Sequence, residues 1–440
     1  MRFCVTRFKG LIMQINRRTL LAAGGALASG MSLPAWAQLR IEITGVGANQ
    51  MPIAIPQFQG TNNAPLDLSA VITADLERSG AFRALKVMGE LPAEDLQKPR
   101  ASFWKTMGAT ALVMGTIENL VDTRFSINYQ LFGTAENKVI DEKQFVVSRG
   151  DLRLTAHRIA DAIYERLTGE SGIFASRLAY VLQRGPQAYE LVVSDSDGEN
   201  PQVALQSNQS IISPMWSPNG LLLTYVSFEA NKPVIYLHDV RSGERRLIAS
   251  FKGNNSAPAF SPDGKTMAVA LSMGGGTHIY LMSTNGTNVR RFTHSQGIDT
   301  EPIFSPDGQY VYFTSDRGGS PQIYRQPVAG GAAERVTYSA EYAISPAISP
   351  KGDKLAFISR FNGAFRVTTL DLMTGTQLVL TDTVRDESPT FAPNGKILVY
   401  ATEEAGRGVL ATVSLDGRVR TRLTGQNGDI REPTWGPLLK

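Results

Sequence analysis

Pro258-Ala259-Phe260-Ser261-Pro262-Asp263-Gly264 decides the fold, because its core recurs at a near-constant interval. The phrase Pro-x-[Trp/Phe/Ile]-[Ser/Ala/Gly]-Pro begins at Pro214, Pro258, Pro302, Pro346, Pro389 and Pro433, with separations of 44, 44, 44, 43 and 44 residues. A period of that length filled with short strand patterns is the signature of a β-propeller. Pro258 has no N–H and suits a strand start, where no ladder donor is needed. Ser261-Pro262-Asp263-Gly264 then reads as a turn: proline presets φ, aspartate caps its own backbone, and glycine accepts positive φ. Three more strand patterns complete the period, over residues 266–271, 278–282 and 290–293, with a turn at Asn285-Gly286. Four strands make one blade.

The count closes on six. Turns between third and fourth strands carry Gly198, Gly243, Gly286, Gly331, Gly375 and Gly417, so the series starts with a turn and ends with the proline phrase at Pro433. The last phrase is therefore a first strand with nothing after it. The segments 178–183, 189–195 and 202–205 are three strands without a first one. Joining the two ends makes a sixth blade and removes an open sheet edge. Lys351 and Ala392 depart from the turn pattern without changing the count.

Residues 1–37 read as an export signal. Arg17-Arg18 precedes a Gly/Ala-rich apolar run from Leu20 to Leu33, and Ala35-Trp36-Ala37 supplies a small-x-small cleavage site, placing the mature start at Gln38. The run is short for a bilayer span. The paired arginines resemble a twin-arginine signal, a pairing that ordinary secretory signals also carry; Met13 is an alternative start. The segment holds five basic residues (Arg2, Arg7, Lys9, Arg17, Arg18) and no acidic one, so removing it takes the formal charge from +4 to −1. Nucleic-acid binding and a polybasic membrane role lose their support. The single cysteine, Cys4, leaves with the segment, so a disulfide-free periplasmic protein is expected.

Between residues 38 and 168 the repeat is absent, and helix and strand patterns alternate. Strands are expected over 40–44, 52–58 and 82–88, and helices over 66–79 and 99–107. A meander follows over 111–121, 124–132 and 139–147, then a helix opening at Asp151. The fold expected is an α/β N-terminal domain (38–168), a short linker (169–172) that keeps the two domains in contact, and an all-β six-bladed propeller (173–440).

Catalytic signatures are thin. The histidines are His157, His238, His278 and His294, and they do not read as a metal set. Gly45-Val-Gly47 lacks a third glycine and a following helix, so dinucleotide binding is not expected. Gly274-Gly275-Gly276 is a hairpin tip, and no Gly-x-Ser-x-Gly elbow occurs. No cofactor or metal is expected. Asp299, Glu301, Asp386, Glu387, Asp429 and Glu432 lie at the start of the proline phrase, on loops that converge on one mouth of the central channel. They fit a solvated rim, a surface for a protein partner, or ligands for a metal in a lactonase-like hydrolase. Tyr342 is the main aromatic candidate for a third class, a carbohydrate-binding mouth.

Leader, α/β domain and ring of Pro-x-[Phe/Trp]-Ser-Pro-[Asp/Asn]-Gly blades together resemble the TolB family, periplasmic components of the Tol–Pal envelope system. The more specific strings are Tyr189-Glu190-Leu191, Ser194-Asp195-Ser196-Asp197-Gly198, Ala257 through Gly264, and Thr300-Glu301-Pro302. The resemblance implies a non-enzymatic adaptor acting in outer-membrane integrity and in invagination during cell division. Its mouth would receive the lipoprotein Pal at Asn254, Ala257 and Thr300, with Asp299, Glu301, Tyr342, Glu387 and Glu432 around them. Asn254 departs from the histidine that better-known members carry. The mature N-terminus, Gln38-Leu39-Arg40-Ile41-Glu42-Ile43-Thr44, would bind the C-terminal domain of TolA. Its alternation of Leu39, Ile41 and Ile43 suits strand addition to a partner sheet, and equally a first strand docked on its own domain. Other outer-membrane proteins are further expected partners, and a monomer is expected outside the complex.

Overall fold

The computed structural model describes residues 50–423 and 428–439. The leader, its cleavage site at Ala37 and Gln38, and the segment Gln38–Thr44 with its expected strand lie outside the described residues.

The N-terminal domain is a five-stranded sheet in the order β2-β1-β3-β4-β5, formed by β1 (Met51–Ala54), β2 (Phe82–Leu85), β3 (Ala111–Asn119), β4 (Phe125–Gly133) and β5 (Lys138–Val147). β1 pairs in parallel with β2 and β3, and β3, β4 and β5 form the antiparallel meander. Helices α1 (Leu68–Arg78) and α4 (Leu152–Thr168) pack together on one face over Ile53, Ala111, Val113 and Ile127. The short helices α2 (Ala93–Gln97) and α3 (Ala101–Thr106) lie on the other, where Trp104 packs with Leu112, Met114 and Phe132. With both faces covered, β3 reads as a continuous apolar run instead of alternating.

Element ends follow local chemistry. The Asp67 carboxylate accepts from Ala70 N at 3.2 Å and starts α1 two residues later than the apolar pattern suggests. The strand expected over 52–58 stops at Ala54. Pro56 cannot donate to a ladder, and pairing resumes only as bridges at Gln57 and Gln59. Gly169 closes α4 at φ 74°. Helix α2 was not legible, since it buries none of its residues.

Six four-stranded sheets follow among the described residues. Five are contiguous in sequence, with innermost strands Ile211–Trp216, Asn255–Phe260, Asp299–Phe304, Ala343–Ile348 and Glu387–Phe391 opening blades 1 to 5. The closing blade joins Asp429–Trp435 to β6 (Arg177–Gly185), β7 (Ala188–Asp195) and β8 (Gln202–Ser207), as the repeat count requires. Neighbouring blades stack face to face: Val226 and Ile235 of blade 1 pack with Met267, Val269 and Tyr280 of blade 2. That two-sided burial makes second strands such as Thr266–Leu271 nearly all apolar.

The phrase proline corrects one expectation. It lies inside the innermost strand, at a bulge, and not at the strand start. In blade 2 the register shifts between Ser256 and Ala259, so Pro258 falls where no ladder donor is called for.

The N-terminal domain rests on the end of the ring formed by the turns within each blade. Asn394 Nδ2 donates to Ser171 O at 3.3 Å, and Lys396 Nζ lies 2.9 Å from Glu170 Oε1. The Asp161 carboxylate of α4 accepts from Phe174 N and Ala175 N at 2.7 and 2.9 Å, binding the chain as it leaves the connecting segment. Among the described residues, no second domain covers the opposite end, where the innermost strands begin. Among the described residues no helix is long and apolar enough to cross a membrane.

Candidate functional site: the channel mouth

The residue before each phrase proline adopts a left-handed conformation: Ser213, Ala257, Glu301, Ser345, Ser388 and Glu432, with φ between 48° and 54°. None is glycine, so each disfavours this region by about 1–2 kcal/mol. The six prolines are buried and the six left-handed residues are half-buried along the channel. The bulge creates the ring, because the extra residue has to turn the chain back before the strand resumes.

Carboxylates join the ring across blades. Glu301 Oε2 accepts from Ser345 N at 2.9 Å, and Ser345 Oγ donates to Glu301 Oε1 at 2.9 Å. Thr314 Oγ1 also donates to Glu301 Oε2, at 2.7 Å. Glu432 accepts from Ser213 N, and Glu387 Oε1 accepts from Glu432 N at 3.4 Å. Burial pushes the Glu432 carboxyl up to about 7; the Ser213 N–H opposes that, and nearby Glu387 and Glu301 reinforce it. Glu387 is also raised by burial, with Arg431 opposing. The channel wall is acidic, and its Glu387 and Glu432 hold their protons more tightly than free carboxylates do.

The acidic residues singled out in the sequence therefore divide. Glu301, Glu387 and Glu432 line the channel. Asp299 and Asp386 turn into the blades and fix loops. Asp299 is fully buried and accepts from Ser315 Oγ and Arg317 Nη2 at 2.7 Å each and from Ser295 Oγ at 2.9 Å. Burial opposes its charge, but the Ser315 and Arg317 bonds outweigh it and hold the carboxyl below its ordinary range. Asp386 accepts from Thr381 Oγ1, from Thr383 Oγ1 at 2.6 Å and from Val367 N at 3.3 Å. Asp429 accepts from Gly408 N and Arg431 Nε. Asn254, half-buried, donates from Nδ2 to Ser256 Oγ at 2.7 Å, and its N–H donates to Ser272 Oγ at 2.7 Å. Thr300 is half-buried opposite Thr314. Tyr342, the main aromatic candidate for sugar stacking, is already partnered by Phe365 in an edge-to-face pair with ring centroids 5.9 Å apart.

Two features escaped the sequence. The left-handed ring gave no signal, because positive φ is read from glycine and none stands there. The second is an apolar arc on the open end: Ile298, Tyr338, Phe361 and Val384 are 53, 70, 50 and 64 % exposed. They stand on the loops that enter blades 3, 4 and 5 and on a hairpin tip of blade 4. Apolar residues directly before an innermost strand were the available cue.

The profile of the TolB beta propeller domain matches residues 164–439, and that of the TolB amino-terminal domain matches residues 39–140. The chain is 59 % identical over 426 residues to the Tol-Pal system protein TolB of Polaromonas sp. (strain JS666 / ATCC BAA-500), covering 97 % of this chain and 99 % of the relative. It is 61 % identical over 398 residues to that of Azoarcus sp. (strain BH72), covering 90 % and 93 %. The crystal structure of TolB from Acinetobacter baumannii superimposes with a TM-score of 0.82 at 40 % identity, covering 91 % of this chain and all of that one. With both domain profiles matched in order and relatives this similar along nearly their whole length, the chain belongs to the TolB family of the Tol–Pal system.

Proposed function

We propose that this chain is a non-enzymatic periplasmic adaptor of the Tol–Pal envelope complex. Its propeller mouth receives the lipoprotein Pal, and its mature N-terminus, residues 38–44, engages the C-terminal domain of TolA. Through that link it serves outer-membrane integrity and invagination during division. The observation that carries the reading is the open end of the ring. An exposed apolar arc over three adjacent blades borders an acidic channel whose backbone is already bent and bonded in place. Apolar contact area beside fixed polar groups is the anatomy of a protein-binding surface, and a prebuilt site lowers the ordering cost of association. Asn254, Ala257 and Thr300 stand on the loops and strands that frame this opening.

Calorimetric titration of the mature chain with the soluble domain of Pal tests it. Ala257→Arg places a long cation in the mouth and is expected to weaken binding at least about tenfold, as loss of a central contact does. Deleting residues 38–44 is expected to abolish capture of the TolA domain while Pal binding is retained. Unchanged Pal affinity in the Ala257 variant would remove the mouth from the proposal. Ester or lactone hydrolysis that a chelator abolishes would favour the metal-dependent hydrolase instead.

A further inference from the structure

His157 lies on α4 at the junction between the two domains, and it is 1 % exposed. Both ring nitrogens face carboxylates. Nδ1 is 2.6 Å from Asp75 Oδ2 of α1, and Nε2 is 3.7 Å from Asp195 Oδ2 at the end of β7. A neutral imidazole has one N–H and one lone pair, so one nitrogen would turn its lone pair toward a carboxylate. An imidazolium carries an N–H on each: Nδ1 donates to Asp75, and Nε2 faces Asp195 at ion-pair distance, beyond hydrogen-bond reach. The neighbours agree with that form. Arg78 of α1 bonds Asp75 at 2.9 Å and approaches Asp197 at 3.8 Å. Arg153 of α4 bonds Asp195 at 2.9 Å and also bonds Asp197. The carboxylates here outnumber the two arginines, so a proton on His157 offsets surplus negative charge.

The geometry points to a proton-operated clamp: imidazolium His157 ties α1 and α4 of the N-terminal domain to the β7–β8 turn of the closing blade, and losing its proton loosens that junction. The groups facing it are Asp75 and Arg78 from α1, Arg153 and Asp161 from α4 itself, and Asp195 and Asp197 from the propeller turn. Burial alone would lower the imidazole's proton affinity; the neighbouring carboxylates of Asp195 and Asp75 outweigh it and push His157 from 6.5 up to about 9. Asp161, raised by burial to about 6, is ionised above that pH and does not titrate in the same window. Because the folded value lies above the free one, the clamp is at full strength below pH 6.5 and is lost as pH rises through 9. A divalent cation is the competing occupant, since Asp75, His157 and Asp197 approach one another closely enough to share one. Both aspartates are already bonded to arginine, so a cation would have to displace those bonds and the His157 proton.

The test uses the mature chain, whose four histidines give resolvable imidazole signals. Nitrogen NMR between pH 5.5 and 9.5 is expected to show both nitrogens of His157 protonated through pH 8. Amide protection over residues 173–176 and 194–199, corrected for intrinsic exchange, is expected to fall about 100-fold between pH 6.5 and 9.5, the scale set by raising the imidazole from 6.5 to about 9. In His157→Gln that protection should be low and independent of pH. Should His157→Gln not fold, Asp195→Asn leaves the Asp75 bond in place and is expected to lower the His157 midpoint by about one unit. A neutral His157 at pH 7, protection that ignores pH in the parent chain, or an unmoved midpoint in Asp195→Asn overturns the clamp. So does one equivalent of zinc displacing the Nε2 proton, reversibly with chelator, which would make the site a metal centre.

Discussion

Six residues in the left-handed region, none of them glycine, are an unusual concentration of backbone strain, and the structure shows what holds them. Each is followed by a buried proline with fixed φ, and three of the six have their N–H bound by a carboxylate from the preceding blade. The carboxylate doing this for Ser213 belongs to Glu432, and the cost appears in its titration. Its pKa of about 7 exceeds the ordinary 4.5, so the folded chain holds that proton more tightly than the unfolded chain does. Folded-state stability from this group is greatest below pH 4.5 and declines as pH rises through 7. Two and a half units would be about 3 kcal/mol, but a half-buried group in a water-reachable channel warrants discounting this to about 1–2 kcal/mol. Glu432→Gln keeps an acceptor for Ser213 and deletes the titration. It is therefore expected to raise the thermal midpoint by a few degrees at pH 8 and hardly at all at pH 5, as calorimetry at both values would show. An equal gain at both pH values would mean that the charge is not what strains the site.

At the level of the turn and strand, the proline phrase proved to hold two devices where the sequence suggested one. The turn was legible because each residue has a chemical reason to be there. Ser261 Oγ donates to Asp263 Oδ1 at 2.6 Å and accepts from Thr266 N at 2.9 Å, Asp263 Oδ1 accepts from Lys265 N at 3.0 Å, and Gly264 takes φ 69°. Blade 4, which puts Lys351 where the pattern has aspartate, recovers the bond from further along: Ser349 Oγ donates to Asp353 Oδ1 at 2.6 Å. Blade 5 has no such substitute. Ala392 keeps the backbone bond to Ile397 O at 2.8 Å but has no hydroxyl to tie Asn394 and the returning strand. Ala392→Ser should restore those bonds and raise unfolding free energy by about 1 kcal/mol, measured by urea titration. A loss of stability would show that the surrounding apolar cluster has no room for the oxygen. The bulge, by contrast, was hidden: a proline inside a strand looks the same in sequence as one at its start, and only the register of the partner strand separates the two.

On the scale of the whole molecule, closure of the ring was the most legible feature, and the junction between domains the least. A surplus first strand at one end and a deficit at the other can only be balanced by pairing, whereas His157 and Asp195 meet through tertiary packing that no period announces. The closing blade carries Glu432 at the channel and Asp195 and Asp197 at the far end, so it touches both the mouth and the N-terminal domain. Its own hold is concentrated in few groups. Trp435 is buried and donates from Nε1 to Ser176 Oγ at 2.8 Å, while Gly436 N and Leu439 N donate to Arg177 O and Ala175 O at 2.8 and 2.9 Å. Trp435→Ala leaves a cavity at the seam and is expected to cost about 3–5 kcal/mol in urea unfolding. Trp435→Phe, which loses mainly the indole bond and some volume, should cost less than half of that. Removing residues 429–440 goes further, since it strips the inner partner from β6 and exposes the edge of a nine-residue strand that is apolar over 178–182. That chain is expected to self-associate in light scattering at concentrations where the parent is monodisperse. If it stayed monodisperse and unfolded at the parent's midpoint, the ring would be held by the stacking of its blades, with no contribution from its latch.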